Sequence, residues 1–182
     1  MAPTLMTRAA KLTRIGYLGA LVLLLIAPLL GLYPVFLMQL LCFALFACAF
    51  NLLLGFTGLL SFGHAAFFGG AAYVCGWFLT AQHWPPEWGI LAGVAVAALL
   101  GLLMGLLAIR RQGIYFAMIT LALAQMVYFV CLQAPFTGGE DGLQGVPRGT
   151  LFGVLSLRSD WAMYYFVAVV FVLSFLLISR IV

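Results

Sequence analysis

Charged residues are scarce in this 182-residue chain: 7% are Asp, Glu, Lys or Arg, whereas 66% are hydrophobic. Such a composition has too few polar side chains to cover a water-soluble globule, so lipid must solvate much of the surface. The sequence also contains no C-x-x-C pair, no G-x-x-x-x-G-K-[ST] loop, and no H-E-x-x-H or Ser/His/Asp arrangement. These absences exclude a readable zinc site, ATP site or soluble-enzyme active site, so we expect no enzyme activity on this chain.

The placement of the few charges narrows the function further. No long apolar run contains a charged residue near its middle, which disfavours a proton-driven or sodium-driven pump. The eight basic residues are scattered rather than forming a stripe with aromatic residues, which excludes a nucleic-acid surface. Any energy source for transport is therefore expected on another chain.

Long apolar runs dominate what is present. A helix needs about 20 mainly apolar residues to cross a bilayer, and the alternating pattern of a membrane-spanning β-barrel is absent. We predict an all-α, polytopic transmembrane helical bundle of about six spans within a single domain, 1–182, whose first span is an uncleaved helix rather than a signal peptide. The predicted spans are 15–32, 35–54, 64–81, 89–109, 114–132 and 162–179.

The charges at the ends of these spans predict the topology. With a cytoplasmic N-terminus, six basic and no acidic residues lie inside, and two basic and four acidic residues lie outside. This asymmetry follows the positive-inside rule. It places 133–161 outside as an extracytoplasmic loop. The inside residues are Arg8, Lys11, Arg14, Arg110, Arg111 and Arg180; the outside residues are Glu87, Glu140, Asp141, Arg148, Arg158 and Asp160.

A glycine-rich break separates the second and third predicted spans. Between Asn51 and His64 the chain carries three glycines, Thr57 and Ser61 but no Asp, Glu, Lys or Arg. We predict non-helical backbone at 55–63. One interpretation is a re-entrant or broken-helix segment that lines a cavity; the other is a tight hydrophobic hairpin. His64 is either an interfacial histidine or a substrate contact.

Polar side chains in the fifth predicted span form a second candidate region. Gln125 and Tyr128 share a helix face, whereas Thr120 points away and is expected to bond its own backbone. Gln125 fits either interhelical contact or the lining of a pathway. Stripes of small residues in the third and fourth spans predict close helix packing: Ala65, Gly69, Ala72 and Gly76, and Gly93, Ala97, Gly101 and Gly105.

Three blocks in one order carry a family resemblance: Asn51 to Gly70, Arg111 to Tyr128, and Thr137 to Arg148. Together they resemble the membrane permeases of branched-chain amino acid ABC importers, closest to the longer of the two permease subunits. The resemblance implies a multi-pass protein of the bacterial inner membrane. Its implied partners are a second permease subunit, two cytoplasmic ATPase subunits that hold ATP and Mg, and a periplasmic substrate-binding protein. No cofactor is expected on this chain.

The resemblance also implies sites. Pathway residues would be Asn51, Thr57, Ser61, His64, Tyr115, Thr120 and Gln125. The loop facing the binding protein would comprise Thr137, Gly138, Gly139, Glu140, Asp141 and Gly142, although the glycine-rich loop also fits a solvated connector. No metal site is expected.

Departures from the family keep other functions open. Members usually continue beyond the position of Val182 into a cytoplasmic coupling segment and further spans, so we expect a truncated, N-terminal part of a longer domain. Alternatives are a permease for urea or short amides, a passive channel, or an inactive permease fragment.

Overall fold

A computed structural model describes Leu24, residues 26–151, Gly153 and residues 155–181. In these residues the fold is a bundle of five α-helices, as predicted for an all-α protein. α1, α3, α4 and α5 are long and apolar enough to cross a membrane, and α2 has 17 residues. Most of the first predicted span, 15–32, lies outside the described residues, so the number of spans stays a prediction. The helices are α1 Pro34–Thr57, α2 His64–Thr80, α3 Pro86–Ala108, α4 Ile114–Gln133 and α5 Asp160–Ile181.

Two predicted helix boundaries are wrong for local reasons. α1 continues through Gly55 to Thr57, because one glycine lowers the stability of a helix by only about 0.5–1 kcal/mol relative to alanine, too little to end it. The helix ends only where Gly58 turns left-handed, at φ +63°, and donates its N–H to the Leu54 carbonyl. α3 starts at Pro86 rather than at residue 89, since proline is favoured in the first turn of a helix, where its missing N–H is not needed.

The helices pack in two groups. α1 lies against α5, and α2 lies against α3 and α4. The first group has a buried core that includes Leu37 and Leu41 of α1 and Ala168 of α5, next to a short 3-10 turn, Ala27–Leu30. Tyr164 of α5 is buried in this core and donates its hydroxyl to the Leu24 carbonyl.

Glycines let α2 and α3 approach closely. A Cβ on Gly93 would lie 2.9 Å from the Ala71 carbonyl oxygen, and one on Gly89 would overlap Leu79. The predicted stripe is therefore correct at Gly93 but wrong at Gly101 and Gly105, which have nothing within 4 Å of a Cβ position. The stripe drifts off the interface because its four-residue spacing differs from the 3.6-residue turn of the helix.

Successive helices run in opposite directions, which gives the bundle two ends. Gly63 lies beside Met104 near the end of α3, so residues 58–63 and the turn 109–113 share what we call the break end. Gly76 lies beside Leu143, and Gly149 lies beside Pro86. Residues 81–85 and 134–159 therefore share the opposite end, the loop end.

The loop end is folded rather than an open connector. It contains two 3-10 turns, Pro135–Thr137 and Gly139–Asp141, followed by a two-residue antiparallel pair of strands. The strands are β1 Thr150–Leu151 and β2 Leu155–Ser156, with Thr150 opposite Ser156. An ion pair between Arg148 and Asp160 joins this region to the first turn of α5.

Candidate functional site

Residues 58–63, the broken segment, re-enter the bundle at their C-terminal end. Gly63 lies beside Met104, four residues before the end of α3, and Phe62 bonds to Thr120, six residues after the start of α4. At 1.5 Å per residue, Phe62 and Gly63 lie roughly 6–9 Å inside those helix ends. α1 and α2 also pack mainly on different partners. This geometry fits a re-entrant break and does not fit a tight hairpin of two paired helices.

His64 begins α2 inside a ring of aromatic side chains. Its imidazole makes edge-on contacts with Phe46 and Phe50 of α1 and with Phe67, at centroid distances of 6.2, 5.5 and 5.9 Å. Nδ1 of His64 is buried and has no hydrogen-bond partner within the described residues. The ring of aromatic side chains around His64 joins α1 to α2, and so links the two helix groups next to the broken segment.

The hydroxyl groups of the broken region bind the main chain. Thr57 donates to the Leu53 carbonyl at 2.7 Å, and Ser61, which is buried, accepts the N–H of Gly63 at 3.2 Å. Thr120 donates to the Ala117 carbonyl at 3.0 Å, as expected from the sequence, and also accepts the N–H of Phe62 at 3.2 Å.

A groove of about 350 Å³ runs between α2 and α4. It begins at Phe62 in the broken segment, and Gln125 lines its middle. At the far end Tyr73 places its hydroxyl 4.0 Å from the Cβ position of Gly142 in the loop end. The groove therefore runs from the broken segment towards the loop end and stops beneath Gly142. Its other lining residues include Ala65, Gly69, Leu121, Ala124, Val127 and Tyr128.

Six of the seven predicted pathway residues lie outside this groove, and Gln125 alone lines it. Asn51 lines a separate groove between α1 and α5, together with Gly55 and Ser179. Tyr115 is 68% exposed in the first turn of α4. Ser61 and His64 lie in or next to the broken segment, Thr120 bonds to it at Phe62, and Thr57 is the last residue of α1.

The predicted loop 137–142 covers the end of α4. Thr137 is completely buried, and its hydroxyl bonds to the carbonyls of Cys131 and Ala134. Gly138, at φ +81°, packs so closely on the Gly142 carbonyl that a Cβ would overlap it. Glu140 and Asp141 are exposed beyond these turns.

Within the described residues no three His, Cys, Asp or Glu side chains come together as a metal site. The four cysteines are free thiols on the helices.

Comparison with known proteins decides the family. The model of the branched-chain amino acid transport system permease component matches residues 33–180, which include α1 to α4, both strands and all of α5 except its last residue. The chain belongs to this permease family. The match covers the broken segment, the groove and the loop end, and it indicates a transport protein.

Two curated relatives resemble this permease over part of their length. The high-affinity branched-chain amino acid transport system permease protein LivM of Salmonella typhimurium is 33% identical over 117 residues, 60% of this chain and 26% of the relative. LivM of Escherichia coli is 32% identical over 112 residues, 57% of this chain and 25% of the relative. The matched region thus spans about a quarter of these relatives. No solved structure matches the chain significantly.

The sequence-based prediction missed Tyr73 as a lining residue of the groove. Ala65, Gly69 and Tyr73 are spaced four apart, so they follow one face of α2. The small residues alone suggested helix packing, and the polar residue that continues the row was the signal for a groove.

Proposed function

We propose that this permease forms part of the membrane path of an ATP-driven importer of branched-chain amino acids. The observation that carries the proposal is the groove that runs from the broken segment towards the loop end. A continuous surface between the two ends of a bundle is what a solute crossing a membrane requires. The family match supports the same function.

The lining of the groove suits an aliphatic amino acid. A zwitterion has no net charge but needs hydrogen-bond donors and acceptors, and no Asp, Glu, Lys or Arg lines the groove. The Gln125 amide both donates and accepts, and the Tyr73 and Tyr128 hydroxyls can do the same. Leu121 and Val127 offer apolar surface for a branched side chain. Urea or a short amide would gain nothing from that apolar surface.

In this function the break end faces the cytoplasm and the loop end faces the periplasm of a bacterial inner membrane. The positive-inside pattern supports this orientation, and the predicted first span at 15–32, as the first of six, would also place the N-terminus in the cytoplasm. A substrate-binding protein docks on the loop at Thr137–Gly142, where exposed Glu140 and Asp141 can meet basic side chains. A second permease subunit closes the groove, and two ATPase subunits supply energy from ATP and Mg.

Reconstitution tests the proposal directly. The 182-residue chain, co-produced with the second permease, ATPases and binding protein from its own genome, is placed in liposomes. We expect uptake of labelled leucine that requires ATP and the binding protein and that isoleucine and valine suppress. Competition by urea or acetamide would indicate that the transported solute is a small amide. Uptake without ATP would indicate a channel. If there is no uptake and no ATPase subunit co-purifies, the proposal of an ATP-driven importer is wrong.

A matched pair of variants tests the groove itself. Gln125→Leu removes the amide but keeps similar bulk, so we expect leucine uptake to fall about tenfold, the effect of one lost hydrogen bond. Met126→Leu alters the neighbouring residue, which is exposed and outside the groove, and should transport normally. Equal activity of the two variants would contradict passage along this groove.

A further inference from the structure

The broken segment is held to the rest of the bundle by one long-range hydrogen bond among the described residues. The N–H groups of Gly58, Leu59 and Gly63 bind acceptors within four residues in the chain. The N–H of Phe62 instead reaches Thr120, 58 residues away on α4. Loss of this bond would leave the segment attached to α4 through apolar contacts alone.

Thr120 is suited to this bond by its chemistry and its burial. The side chain is 3% exposed and lies two turns inside α4. Its hydroxyl proton goes to the Ala117 carbonyl, which turns an oxygen lone pair towards the Phe62 N–H. Donor and acceptor functions are both used, so a hydroxyl is needed and a methyl group cannot replace it.

The bond lies where the two helix groups meet. Phe62 lines the groove, and two residues later His64 enters the aromatic ring around Phe46 and Phe50 of α1. On the other side, Met104 of α3 packs on Gly63. Thr120 is therefore a polar link between α4 and the segment that leads to the contact with α1.

We propose that Thr120 is a positioning residue that ties the broken segment to α4, so that both move as one unit when the groove opens and closes. The role of Thr120 in transport rests on the proposed function, whereas its attachment of the broken segment to α4 can be tested without transport. Thr120 acts through Phe62 and does not touch the solute.

Hydrogen exchange of the permease in lipid nanodiscs tests the attachment of the broken segment to Thr120 without any transport. Thr120→Val keeps the size of the side chain and removes the hydroxyl, whereas Thr120→Ser keeps the hydroxyl and removes a methyl group. We expect the peptide that contains residues 58–63 to exchange about tenfold faster in Thr120→Val. The same peptide in Thr120→Ser, and peptides from 121–133 in both variants, should match the unaltered protein.

Unchanged exchange of 58–63 in Thr120→Val, or equal loosening in Thr120→Ser, would overturn the proposal. In the reconstituted importer, Thr120→Val should lower the turnover of leucine about tenfold with little change in KM, and Thr120→Ser should restore it. If the unaltered protein does not transport leucine, the proposed importer function is wrong. The exchange result still tests whether Thr120 holds the broken segment to α4.

Discussion

Hydroxyl side chains in this permease repeatedly bond to the main chain. Thr57 and Thr80 donate to carbonyls one turn earlier, Ser61 accepts a nearby N–H, and Thr120 bridges two segments. In a bilayer, water is scarce, so main-chain groups released by a break or a helix end need partners from the protein. These hydroxyls make irregular backbone possible within a hydrophobic bundle.

Thr137 provides a test of this role at the end of α4. Thr137→Val leaves the carbonyls of Cys131 and Ala134 without their hydroxyl donor in a fully buried position. We expect the free energy of unfolding to fall by about 1–3 kcal/mol. Unfolding in detergent, followed by circular dichroism, measures the change.

Thr137→Ser is the matched control because it keeps the donor and removes one methyl group. It should lose clearly less stability than Thr137→Val. Equal losses in the two variants would show that packing of the methyl group, rather than the hydrogen bonds, holds the turn.

At this scale, sequence indicated residue types but not partners. The bond of Thr120 to its own helix was predictable because threonine commonly bonds a carbonyl of the preceding turn. Its second bond, to Phe62, depends on the depth at which the broken segment re-enters the bundle. No local pattern encodes that depth.

At the scale of elements, close packing of α2 on α3 depends on particular glycines. Gly93→Ala would force a Cβ to within 2.9 Å of the Ala71 carbonyl oxygen, which requires the helices to separate. We expect a loss of about 1–3 kcal/mol, typical of overpacking. Thermal unfolding in detergent is a suitable measurement.

Gly101→Ala is the control on the same helix, where a Cβ meets nothing within 4 Å. Alanine favours a helix over glycine by about 0.5–1 kcal/mol, so this variant should be neutral or slightly more stable. Destabilisation by both substitutions to the same extent would contradict the packing of α2 on α3 described here.

The positions of the helices along the sequence were largely predictable, whereas the contacts between the helices were not. Apolar runs of the right length predicted the helices, with errors at Gly55 and Pro86. The stripes of small residues correctly indicated close packing at Gly93, but Gly89 and Gly70 also contact neighbouring helices and were not predicted. Which glycine faces a neighbour depends on helix rotation, and several rotations satisfy the same sequence.

At the scale of the whole molecule, the described residues leave most of the surface of the helices uncovered. In each of the four helices long enough to span a membrane, 11–17% of an apolar stretch of 18 residues is buried. Large apolar side chains such as Leu102, Leu106 and Leu173 face outwards. Lipid and the proposed second permease subunit would cover these surfaces.

Cysteine labelling in intact cells tests the orientation. In a variant whose four native cysteines are replaced by alanine, Gln144→Cys at the loop end should react with a membrane-impermeant maleimide. Gln112→Cys at the break end should react only after the membrane is opened. The reverse result would place the break end outside and overturn the predicted topology.

The short length of α2 bears on the energy of crossing. Its 17 residues span about 26 Å, less than the roughly 30 Å of hydrocarbon in a typical bilayer. Since Phe62 and Gly63 of the broken segment lie inside the ends of α3 and α4, polar backbone reaches into the depth that lipid tails fill elsewhere. In a membrane, the layer without polar backbone would then be thinner beside α2 than beside α3, and a zwitterion that crosses there would meet a smaller desolvation barrier.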